Sequence, residues 1–202
     1  MTMTRRSFTL AMLGLPGCTA LGALNDAAVP RDTYALQPVS ITGQGRRSSR
    51  TLLVLEPTAP AAIAIDRILI RQDPLSVTYL PDERWADTVP KMLQSILIQS
   101  LASSGQIGFV GAQGAGPVPD AVLLTRIDDF AVNQQADQSF EVRVSFELTV
   151  LRDRDQRVLG TRRFATALPI ADDQARTITR AFQQALEMLL PQALTWVLAR
   201  VG

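Results

Sequence analysis

Among the closely spaced acidic side chains, Asp128-Asp129 and Asp153/Asp155 are the candidates for chemistry. Paired carboxylates serve general acid–base catalysis or hold a cation, and either pair has the residue types for that chemistry. Neighbours in an extended chain point to opposite faces, and Asp128 and Asp129 are therefore expected not to meet at one atom. Asp153 and Asp155 alternate with Arg152 and Arg154, the pattern of surface charge that pairs with itself. Serines are plentiful, but there is no histidine and no Gly-x-Ser-x-Gly. Neither a Ser-His-Asp nor a Cys-His nucleophile can be built, and no histidine-ligated metal centre. The stretch Gly111 to Gly116 suggests a phosphate loop, yet it lacks the Lys-Ser/Thr ending and is expected to precede no helix, so it reads as a surface loop. The one lysine, Lys91, lies near an expected helix start. The reading is a non-enzyme with no catalytic residue, no bound metal and no dissociable cofactor.

One run is different in kind. Tyr79-Leu80-Pro81-Asp82-Glu83-Arg84-Trp85-Ala86-Asp87 passes from an expected strand towards an expected helix. Trp85 is suited to staple the helix start onto the sheet. Arg84 stacks or pairs locally, or reaches a partner. Arginine and tryptophan dominate interface energetics, so Arg84 and Trp85 are the candidate partner-binding residues.

The elements that position these residues belong to a chain of 202 residues with 20 basic and 19 acidic side chains and a formal charge of +1. That length suits one domain with a real core, and 47% hydrophobic content is too apolar for a disordered segment. Near-neutral charge argues against a nucleic-acid partner, which needs clustered positive charge. No run of 18 apolar residues is present, so no membrane-spanning helix is expected.

Residues 1–17 read as an export signal. Arg5 and Arg6 precede a short apolar run from Phe8 to Leu15, and small residues follow. The paired arginines before Ser7-Phe8 resemble a twin-arginine signal, with general secretion the alternative. Leu15-Pro16-Gly17-Cys18 resembles the bacterial lipobox, which implies that Cys18 is acylated and becomes the new N-terminus. Each buried methylene contributes ~0.8 kcal/mol, so two or three palmitate-like chains anchor stably where one does not. A lone cysteine is otherwise a small buried hydrophobe; its position at the end of the signal decides for lipidation. Thr19 is not the aspartate that retains many Gram-negative lipoproteins at the inner membrane, and that resemblance favours the periplasmic side of the outer membrane. Residues 18–32 form the lipidated tether and 33–202 a single domain.

Within that domain, Thr33 to Leu36 is expected as a short strand, Ser40 to Arg50 as an exposed loop, and Thr51 to Glu56 as a central strand apolar on both faces. Ile63 to Arg71 and Leu75 to Leu80 make a hairpin. Asp82 to Ser104 carries the first helix, capped by Asp87 or Thr88, with Pro90 in its first turn and Gly105 as its stop. Val89, Leu93, Ile96, Leu97 and Leu101 supply its apolar stripe. Ile107 to Val110 is a short strand. Ala121 to Val132, Phe140 to Val150 and Arg157 to Leu168 form an antiparallel meander. In its middle strand Phe140, Val142, Val144, Phe146, Leu148 and Val150 alternate with polar residues. Asp172-Asp173 starts a long C-terminal helix with acids at its positive end, and Ile178, Phe182, Ala185, Leu186, Leu189, Ala193, Leu194 and Val197 line its buried side; Pro191 is expected to kink it. The fold class is α/β (α+β), with a mixed, mostly antiparallel sheet against two main helices.

From Cys18 to the C-terminus the chain resembles the ABC-type transport auxiliary lipoproteins, which include the paraquat-inducible C-type lipoprotein. The features that carry the likeness are the lipobox at Cys18, Tyr34-x-Leu36-x-Pro38, the apolar strand ending Glu56-Pro57, Asp66-Arg67-Ile68 ahead of Tyr79, Arg84-Trp85-Ala86, and the order of the meander and last helix. The resemblance implies a fold similar to the N-terminal domain of the translocation protein TolB. It also implies a periplasmic partner of a mammalian-cell-entry (MCE) lipid transport system, associated with an MCE-domain protein and an ABC permease and ATPase, and capable of forming a homo-oligomeric ring. The alternative is a general envelope-assembly lipoprotein that recruits another periplasmic machine.

Overall fold

The computed structural model describes residues 32–41, 47–73, 75–114 and 116–202. The export signal, Cys18 and nearly all of the tether lie outside the described residues, as do Pro74 and the loop positions around Gly43.

Three long strands form the backbone of the sheet. β6 (Ala121–Gln134), β7 (Phe140–Arg152) and β8 (Arg157–Ile170) pair antiparallel in chain order, as the strict alternation predicts. Val142, Val144, Phe146, Leu148 and Val150 are all buried on one face of β7, while Phe140 is half-buried at its start. Burying each such side chain contributes about 1.5–3 kcal/mol, enough to pin the register against a one-residue slip.

The other edge of β6 is shared by two groups of strands. Its first residues pair parallel with β2 (Thr51–Val54), which in turn pairs parallel with β5 (Phe109–Ala112). Its last residues pair parallel with β3 (Arg67–Asp73). β3 then makes an antiparallel hairpin with β4 (Ser76–Trp85), and β1 (Asp32–Tyr34) adds parallel to the end of β4. The sheet is therefore mixed: its antiparallel ladders are long and its parallel ones short.

Two helices cover it. α1 (Val89–Ser103) buries Val89, Leu93, Ile96, Leu97 and Leu101, the whole expected stripe. Pro90 sits in its first turn, where a missing N–H costs nothing. Thr88 occupies the cap position but makes no side-chain cap bond; Asp87 Oδ1 instead accepts from the Thr88 amide at 2.7 Å. Gly105 follows at φ +66°, the left-handed residue that ends the helix. α2 (Ala175–Val201) buries every residue of its expected stripe and runs through Pro191 as one helix. Asp172 and Asp173 precede it rather than opening it, and Asp172 Oδ1 accepts from the Gln174 amide at 3.1 Å.

Several boundaries differ from expectation. β3 begins at Arg67, with Ile63 buried in the turns before it. The strand expected to stop at Leu80 continues as β4 to Trp85, across an irregularity where Asp82 adopts φ +58°. The expected start of α1 near Asp82 is thus strand. β5 lies two residues later than the Ile107–Val110 segment, although Ile107 is buried. Gly114 (φ +83°) and Gly116 (φ +100°) turn the chain from β5 back towards β6, and no helix follows. A Cβ on Gly116 would lie 2.4 Å from the Phe109 ring, so this glycine serves close packing, and the stretch is not a phosphate loop.

Candidate functional site

The strand-to-helix junction is held by three backbone bonds to two segments, β1 and residues 65–66. Trp85 N donates to Asp66 O at 2.8 Å, Ala86 N to Tyr34 O at 2.8 Å and Val89 N to Ile65 O at 3.2 Å. Thr33 and Tyr34 of β1 stand opposite Arg84 and Trp85. Alternation then sends the two neighbours to opposite sides. Trp85 is 1% exposed, edge-on to Phe130 of β6 (5.9 Å between centroids) and to Phe182 of α2 (5.2 Å); Phe130 and Phe182 stack at 4.5 Å. It therefore ties β4 to the long C-terminal helix. Arg84 is exposed, with its guanidinium 4.0 Å from the Asp66 carboxylate, a loose pair that leaves its donors accessible. Beside them, burial and the Glu83 charge push the Tyr34 phenol above its ordinary value. Of the two candidate partner-binding residues, then, only Arg84 is presented to solvent. Cys18 lies outside the described residues.

Asp128 and Asp129 overturn the expectation that they face opposite ways. A β-bulge between Ile127 and Asp129 inserts one extra residue, so Ile127 and Phe130 both stay in the core. Both carboxylates consequently line one shallow hollow of about 400 Å³ on the face of the sheet away from the helices, with Arg143, Arg163, Ala165 and Ala167. Each carboxylate is already taken. Arg126 Nε donates to Asp128 at 2.7 Å and its Nη1 lies 2.9 Å from Glu147; Arg163 Nε lies 3.5 Å from Asp128 and donates to Ser145 Oγ at 2.9 Å. Arg71 Nη1 bonds both oxygens of Asp129 (3.2 and 3.3 Å) and Asn133 Oδ1 at 2.7 Å. The hydrogen bond from Arg126, with help from Arg163, holds the Asp128 carboxyl below the usual carboxylate range.

The outer face is thus a lattice of charged pairs across β6, β7 and β8. Arg152 and Asp155 pair at 3.0 Å in the turn, as the alternating charges predict, and that bond lowers the Asp155 carboxyl. No group of three or more acidic, cysteine or histidine side chains suited to a metal occurs among the described residues. The helix-free polar face was half-legible in Glu141, Arg143, Ser145, Glu147 and Thr149 of β7; the bulge that gathers the aspartates onto it left no mark in the residue pattern.

Comparison with known proteins agrees with this architecture. The family model for the ABC-type transport auxiliary lipoprotein component matches residues 34–193. Comparison with curated protein sequences returns no match. Among solved structures, a Xanthomonas campestris protein of the DUF330 family model is similar over 83% of this chain and 95% of that one, at 24% identity and a TM-score of 0.75. A hypothetical protein from Chlamydia trachomatis is similar over 76% and 98%, at 11% identity and a TM-score of 0.53. At these identities the likeness is one of fold.

Proposed function

Because the chain belongs to the ABC-type transport auxiliary lipoprotein component family, we propose that it is a non-enzymatic, lipid-anchored accessory subunit of an MCE-type lipid transport system. Family membership makes it an envelope lipoprotein that accompanies an ABC transporter. In our reading Cys18 carries the lipid, the outer membrane holds it on the periplasmic side, and the domain docks an MCE-domain protein with its permease and ATPase. Several copies acting as a ring would suit such docking.

The observation that carries the docking role is the junction, where Arg84 stays open to solvent on a backbone fixed by bonds from β1 and the 65–66 segment. With the backbone already fixed, binding has only the Arg84 side chain left to order, and an accessible arginine makes a good contact point. The non-enzymatic role is supported by the self-paired carboxylates of the outer face. Affinity purification of the full chain from its own envelope tests the reading. Co-purification of an MCE-domain protein with a permease and ATPase is expected. Recovery instead of a different envelope machine, or of none of these subunits, would overturn it.

A further inference from the structure

At one end of the sheet the fold gathers arginines that are far apart in the chain. β2 pairs with the start of β6 (Leu52 opposite Ala121), and the start of β6 pairs with the end of β7 (Ala121 opposite Arg152). Arg50, just before β2, Arg152, the last residue of β7, and Arg154 in the turn that follows are thereby brought around one cleft of about 200 Å³, floored by Pro119 and Asp120. Its frame is well tied. Asp120 N donates to Thr51 O at 2.9 Å, Thr51 N to Asp120 Oδ2 at 2.8 Å, and Asp153 N to Asp120 O at 3.0 Å.

The charges are unequal. One Asp120 oxygen is engaged by the Thr51 amide, and Asp155 is held by Arg152 Nε at 3.0 Å. Arg50 and Arg154 are exposed and form no ion pair among the described residues, in contrast to Arg71, Arg126, Arg143 and Arg163 on the outer face. Three guanidinium groups therefore line the cleft against one carboxylate, Asp120; Asp153 and Asp155 flank Arg154 in the turn outside the lining, and Asp155 is held by Arg152. Guanidinium forks match tetrahedral oxyanions through paired hydrogen bonds. The volume lies below the ~300–1,000 Å³ of sites for larger ligands, so it suits a small anionic group and not an acyl chain. Val118, 85% exposed between Pro117 and Pro119, and Val158, 55% exposed after Arg157, give nearby apolar surface.

We infer that the cleft among Arg50, Arg152 and Arg154 is a binding site for a phosphoryl group, supplied by a phospholipid headgroup or by free phosphate. This is independent of the docking role proposed above and does not require an MCE partner.

The test uses the full chain purified in a non-ionic detergent, with titration calorimetry against inorganic phosphate and, separately, against dihexanoylphosphatidylglycerol kept monomeric. Binding of at least one probe at one per chain is expected, weakening as salt is raised. Arg50→Gln and Arg154→Gln should each weaken it about tenfold or more, since a charge-assisted bond is lost. Their thermal midpoints should match the parent, because both side chains are exposed. Tighter binding of the lipid probe assigns the headgroup as the source, and tighter binding of inorganic phosphate assigns the free anion. Binding of neither probe, or undiminished binding in the Arg50→Gln/Arg154→Gln double variant, would overturn the inference.

Discussion

Trp85 meets Phe182 edge-on, with ring centroids 5.2 Å apart and planes at 87°. The contact joins the last residue of β4 to the first half of α2, and Phe130 closes the cluster from β6. Three elements far apart in the chain thus share one aromatic centre. Trp85→Ala should cost about 3–5 kcal/mol through the cavity it leaves. Chemical denaturation of parent and variant measures this, and a loss below 1 kcal/mol would mean that the ring contributes little.

Arg84, one residue earlier, should behave in the opposite way. Its pair with Asp66 is long at 4.0 Å and exposed, a class of interaction contributing about 0–1 kcal/mol. Arg84→Ala is expected to leave the thermal midpoint nearly unchanged while weakening co-purification of the transport subunits. A loss of folding as large as that of Trp85→Ala would make the junction purely structural.

Cys18→Ala removes the acylation site expected from the lipobox. The variant should appear unprocessed or in the soluble fraction on membrane fractionation without detergent, whereas the parent stays with the membrane. Retention of the variant in washed membranes would rule out the anchor.

Asp128 gives a pH dependence with a definite sign. Its carboxyl is held below its ordinary range by the bond from Arg126, so the folded state prefers the ionised form more than the unfolded state does. The resulting stabilisation is fully present above the unfolded value of ~3.9 and is lost as pH falls through the lower folded value. In thermal melts taken from neutral to acid pH, Asp128→Asn should be less stable than the parent at neutrality, and the gap should close as the pH falls through the lowered folded value. A constant difference across the range would mean that the carboxylate charge is not what matters.

Gly105 ends α1 at φ +66° with open space around it. Any Cβ there is strained by the backbone rather than by a clash, so Gly105→Ala should cost about 1 kcal/mol and Gly105→Asn less. Urea denaturation of the two variants separates them; equal stability of all three chains would show that the helix end relaxes.

Local periodicity was enough for the meander and both helices. The two-residue repeat from Phe140 to Val150 and the three-to-four-residue repeats on α1 and α2 each mark a face that must leave water, and the structure buries those faces. The Gly105 stop was equally legible, because a left-handed residue is a local requirement. Pairing between distant strands was not. Which half of β6 receives β2 and which receives β3 depends on packing across more than fifty residues of chain, and β4 could extend to Trp85 only because β1 and the 65–66 segment were there to pair with it. The bulge after Ile127 is the sharpest case. Alternation alone separates Asp128 from Asp129, but keeping both Ile127 and Phe130 in the core forces one extra residue outward and puts the two carboxylates on one face. The meeting of Arg50 with Arg152 and Arg154 is likewise a product of strand order: their positions were plain in the chain, and their convergence was decided only when β2, β6 and β7 were brought side by side.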